Sequence, residues 1–195
     1  MEKEILAAIG IIITLIGYVA YIYSIFKGDT RPHPFSWFVF ANLTAIGFFA
    51  QLSDGGGLGA YITGTSALIS YVVMVIGYFK RHEITITKSD WVAFISCLMA
   101  IPLWMITDSA FWSVILITAI DTLAFYPTFR KAWFEPKSEL PFHYIIAGSK
   151  FVFGLFALEH FSTITVLYPL SLVITNFLFL AMLYYRRGVI KSHGA

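Results

Sequence analysis

The feature that most limits what this chain can become is a succession of seven apolar runs, at residues 5–26, 35–52, 58–79, 91–106, 110–129, 142–158 and 164–185, divided by short polar clusters. A bilayer core takes about 20 helical residues, with about 17 the usual lower limit, so six runs fit and the fourth is short. Only 12% of the 195 residues are charged and 58% are hydrophobic, against roughly one quarter charged in soluble domains. The sequence therefore predicts an all-α membrane protein of seven transmembrane helices. The first run is too long for a secretory leader and no small-residue cleavage site follows it, so it reads as a retained helix. The single cysteine, Cys97, excludes an internal disulfide and a cysteine-type zinc cluster.

Charge tests the count. When loops are assigned to alternate sides, Lys27, Arg31, Lys80, Arg81, Lys88, Arg130, Lys131, Lys137, Arg186, Arg187 and Lys191 all fall on one side. The other side holds Asp54, Asp108 and Glu159, with Lys3 between Glu2 and Glu4. Removing or adding one span would mix these groups. By the positive-inside rule the N-terminus lies outside and the C-terminus in the cytoplasm. The basic clusters are topology signals rather than a nucleic-acid surface.

The chain also repeats itself. Pro34-Phe35 opens the second run and Pro141-Phe142 the sixth, while GFFA at 47–50 returns as GLFA at 154–157, both 107 residues later. YFKR at 78–81 returns as YYRR at 184–187, offset 106, and Ala20 and Lys27 return as Ala124 and Lys131, offset 104. Three helices (5–80), a linker helix (81–107) and three helices (108–187) follow. One linking span gives both triples the same orientation, so an axis along the membrane normal can relate them.

This three-plus-one-plus-three repeat with an outside N-terminus resembles the SWEET and PQ-loop superfamily of small membrane transporters, over essentially the whole chain. Pro127 sits where that superfamily carries a proline-glutamine pair, although Thr128 replaces the glutamine and Tyr23-Ser24 stands at the other pair's place. The segment GDTRPHPFSW at 28–37 is similar to that of a bacterial group of the same architecture. The resemblance implies an inner-membrane location and a site at the interface of the triples. It does not carry sugar transport with it.

Polar residues inside apolar runs mark the candidate site. Asp121 lies eight residues before Phe129, and Lys150 eight after Phe142. At about 1.5 Å per residue each sits about 12 Å above the same boundary, on consecutive antiparallel helices. A lone charge at such a depth costs roughly 2.5–3.5 kcal/mol on insertion scales. Two readings remain open: an ion pair that pins helices, or two groups lining a cavity for substrate binding or proton coupling. The repeat aligns Asp121 with Gly17 and Lys150 with Leu43, so the pair breaks the scaffold's symmetry.

Asn176 falls in the same layer, and the resemblance implies a substrate-contacting asparagine there. Its repeat partner is Ser70, and Asn42 is a further candidate. Pro127 is the expected cytoplasmic hinge, with Tyr126 and Tyr23 as gate side chains; Pro102 and Pro169 read as static kinks. Trp37, Trp91, Trp104, Trp112 and Trp133 lie near span ends, as an interfacial belt would place them. The five histidines are scattered over both faces with no paired ligand spacing, so neither a metal, a cofactor nor an enzyme active site is expected.

The sequence thus predicts a transporter of a small polar solute, either a facilitator or proton-coupled, working by alternating access around a midplane site. The alternative is a non-transporting membrane sensor or assembly factor on the same scaffold. Membrane lipids are expected partners, nucleic acid is not, and a homo-oligomer is left open.

Overall fold

The computed structural model describes residues 2–29, 32, 34–80, 88, 91, 92, 94, 95, 98, 99, 109–134, 136, 137 and 139–193. The described elements are α1 (Glu2–Lys27), α2 (Pro34–Ser53), a 3-10 turn at Gly57–Gly59, α3 (Ala60–Phe79), α4 (Ala110–Phe134), α5 (Pro141–Ala157) and α6 (Thr163–His193). Most of the fourth apolar run, with Pro102 and Trp104, lies outside the described residues. The seven-helix count is therefore seen in six helices.

Five of the six, all but α5, are long and apolar enough to cross a membrane, which is compatible with an integral membrane protein. At 17 residues, α5 sits at the lower limit of spanning length. Large apolar side chains such as Val19, Leu68, Leu123 and Phe156 point outward at 65% exposure or more. In water such a surface would be unfavourable; against lipid tails it costs little.

Two helices run past their apolar stretches. α4 continues to Phe134 and α6 to His193, because a helix propagates through basic residues as readily as through apolar ones. The extensions are laced together: Arg186 Nε donates to Trp133 O at 2.8 Å and the guanidinium stacks 4.7 Å from the Trp133 ring. Arg187 donates to the carbonyls of Pro136 and Glu139.

Packing partners follow a pattern. α3 packs on both α1 and α2, and α6 packs likewise on both α4 and α5. Across the molecule α1 packs on α5, and α2 on α4. Close contacts give the directions. Gly10 faces Phe153, Gly17 faces Ile146, and the Tyr21 ring lies 5.8 Å from His143, so α1 and α5 are antiparallel. By the same logic α1, α3, α4 and α6 run one way and α2 and α5 the other, so α3 ends and α4 begins at opposite ends of the bundle. The end carrying Lys27, Lys80, Arg130 and Arg186 is called the basic end here.

Two pairs of positions related by the sequence offsets make comparable contacts. A Cβ on Gly47 would meet the Tyr168 ring of α6, while Gly154, 107 residues on, faces Ile62 of α3, 106 residues back from Tyr168. Each triple thus inserts a side chain of its third helix against a glycine of the other triple's second helix.

The core divides into two clusters. One joins Val39, Leu43 and Ile46 of α2 to Val114 and Ile117 of α4 and to Phe151, Tyr168 and Leu172. The other lies within the second triple, where Tyr144, Phe179, Leu180 and Leu183 gather with Phe125 and Phe129. Between the triples they leave a cavity.

Candidate functional site

The cavity holds about 250 Å³ and draws its walls from all six helices. α1 contributes Thr14, Tyr18 and Tyr21, and α3 contributes Ser66 and Ser70. Asp121 comes from α4, Lys150 from α5 and Asn176 from α6. Serines four residues apart share a helix face, which is why Ser66 and Ser70 arrive together. Tyr18 joins them, its hydroxyl 2.7 Å from Ser70 Oγ and donating to Ser66 O at 3.1 Å.

Lys150 is 7% exposed and reaches from α5 to the first triple. Its ammonium donates to Ser66 Oγ at 2.9 Å and lies 4.8 Å from the centroids of both the Tyr18 and Phe151 rings. A desolvated cation over an aromatic face gains about 2 kcal/mol, and a hydrogen bond to a charged group about 1.5–3 kcal/mol. An ammonium has three donors, and among the described residues only Ser66 takes one.

Asp121 is 4% exposed and lines the same cavity from α4. No described residue donates to its carboxylate, and no ion pair joins it to Lys150. The two ionisable groups line one chamber without pairing. Asn176 Nδ2 donates to Leu172 O of its own helix at 2.8 Å, leaving the amide oxygen beside the chamber.

Not every expected residue reaches it. Asn42 turns to α3, accepting from the Tyr71 hydroxyl at 3.0 Å and donating to Phe38 O. Tyr23 and Tyr126 are 62% and 66% exposed and stand outside the cavity, Tyr23 beneath Lys27. α4 continues through position 127, while the side chain of Pro127 lies outside the described residues. Toward the basic end the side chains of Tyr21, Trp37, Phe40, His143, Tyr144 and Ile146 line both the cavity and a vestibule of about 740 Å³ that carries Ser24, Asp29 and Glu139. Trp37 Nε1 donates to the Tyr21 hydroxyl, and the two rings lie 5.0 Å apart. The sequence placed Trp37 only in an interfacial belt and gave His143 no role; both fall within the first turn of an apolar run.

The opposite end is closed by a polar clasp between the loop after α2 and the loop before α6. Ser162 Oγ donates to Asp54 Oδ2, and His160 Nδ1 lies 2.9 Å from Asp54 O and 3.4 Å from Asp54 Oδ2. The Leu58 amide donates to Glu159 Oε1, and the Glu159 amide to Gly56 O. Gly57, at φ +59°, has no Cβ to collide with the Glu159 carboxylate. Beneath them Gln51 Nε2 donates to Thr165 O at 2.9 Å. Pro169 lacks the N–H that would satisfy that carbonyl, so α2 supplies the missing donor to α6.

Among the described residues no three His, Cys, Asp or Glu side chains gather to hold a metal ion. No protein-family model, curated protein or solved structure matches this chain.

Proposed function

We propose that this protein is a seven-helix transporter of a small polar solute, of SWEET and PQ-loop type, working by alternating access. The observation that carries the reading is the chamber between the triples. It is lined by two buried ionisable side chains, Asp121 and Lys150, shares lining residues with a vestibule at the basic end, and lies between that end and a clasped one. Intramembrane ionisable groups that face a cavity mark solute and ion pathways, and binding at the interface of structural repeats is the common transporter design.

The packing pattern supports two parallel triples: equivalent helices take equivalent partners, and the Gly47–Tyr168 contact has its counterpart at Gly154 and Ile62. That α3 ends and α4 begins at opposite ends supports an odd number of crossings, and so a linker span between them. The basic end then faces the cytoplasm, in a bacterial inner membrane, and the form described is open inward. Rocking one triple against the other would close the vestibule and part the clasp.

Uptake of labelled solutes into proteoliposomes tests this. Some small polar solute is expected to accumulate or exchange, with flux lost in Asp121→Asn at unchanged yield and melting temperature. No flux across a broad panel, with specific capture of another membrane protein, would favour a sensor or assembly factor.

A further inference from the structure

We infer that the chamber selects a compact zwitterion, a solute carrying a primary ammonium and a carboxylate on one small frame, as α-amino acids do. The inference rests on reading the chamber as a solute site, and it names the solute class. Among the described residues only Ser66 accepts from Lys150, which leaves two N–H donors beside Tyr18 and Ser66, suited to a carboxylate. Asp121, 4% exposed and without a donor among the described residues, offers its oxygens from α4, suited to an ammonium. Among the described residues neither group has its counter-charge, and a zwitterion supplies both at once.

The approach argues the same way. Among the described residues the lining of the vestibule includes Asp29 and Glu139 and no Lys or Arg. Within the chamber Lys150 disfavours a solute with only a positive charge and Asp121 one with only a negative charge, so a solute that bears both suits it. The volume of about 250 Å³ lies at the small end for ligand sites, and Phe40, Phe125 and Tyr168 form apolar wall for the solute's side chain.

Binding to the purified full-length protein in detergent, read by thermal shift and by calorimetric titration, decides it. The probes are alanine, leucine and phenylalanine, then leucinamide, which keeps only the ammonium, N-acetyl-leucine, which keeps only the carboxylate, and glucose. At least one amino acid is expected to bind, with both single-charge analogues about 100-fold weaker, because each leaves one buried charge unpaired. Lys150→Met should erase the discrimination against leucinamide and Asp121→Asn that against N-acetyl-leucine. Equal binding of a single-charge analogue, tighter binding of glucose, or no binding by any of the three amino acids overturns the inference on the parent protein alone, whether or not the variants fold. Zwitterion binding with this crossed pattern but no flux in proteoliposomes would sink the transport reading and leave the inference standing. Flux of glucose without zwitterion binding would do the reverse.

Discussion

At the scale of single residues, hydropathy marks which side chains are costly in a membrane but not which wall they face. Asp121, Lys150, Asn176 and Ser70 line one chamber, whereas Asn42 faces α3 and Tyr23 and Tyr126 face outward. Rotation of each helix about its axis decides this, and rotation is set by packing. Gln51 shows a dependence that no local pattern reveals, since its partner lies 114 residues away. Gln51→Leu leaves the Thr165 carbonyl buried without a donor, an expected loss of about 1–3 kcal/mol. Restoring the helix N–H with Pro169→Ala should remove that loss and reverse its sign, because Gln51 Oε1 is itself buried without a partner. Thermal melts of the four proteins in a double-mutant cycle read the coupling; additive effects would mean that Gln51 does not serve the proline.

At the scale of helices, six of the seven apolar runs coincide with described helices to within a few residues at their starts, because backbone polar groups in lipid must be satisfied within the segment. Their ends were less legible in α4 and α6, where basic extensions pack through Arg186 and Arg187 rather than through apolar faces. The repeat, read from matches at GFFA and GLFA, corresponds to packing equivalence but not to identical packing. At Gly47 an added Cβ would lie 2.5 Å from the Tyr168 ring; at Gly154 the nearest atom, Ile62 Cδ1, is at 3.6 Å. Gly47→Ala is therefore expected to destabilise by about 1–3 kcal/mol through overpacking. Gly154→Ala should be neutral or stabilise by up to about 1 kcal/mol through helix propensity. Melting temperatures of the two variants in one detergent compare them directly, and equal effects would contradict the asymmetric packing.

At the scale of the whole molecule, a polar clasp ties the loop after α2 to the loop before α6 at one end. Asp54 and Ser162 hold the clasp across the two triples, so Asp54→Ala is expected to raise access to the chamber from that side. With Ser70→Cys as reporter in a Cys97→Ser background, a membrane-impermeant thiol reagent should react in oriented vesicles from the basic side in the parent. In Asp54→Ala it should react faster from the clasped side as well, by roughly tenfold if about 1.4 kcal/mol of clasp energy is lost. Unchanged labelling from the clasped side would mean that other contacts keep that end shut. The sequence by itself determined the helical class and the positions of the long apolar helices, because an apolar run of about 20 residues can satisfy its backbone polar groups within its own helix. Only the tertiary structure decided that Asp121 and Lys150 share a chamber without pairing, that Tyr21, Trp37, His143 and Tyr144 border its opening, and that Gln51 completes α6. Those relations depend on how far each helix is rotated and how closely its glycines let a neighbour approach, and one-dimensional periodicity does not encode either.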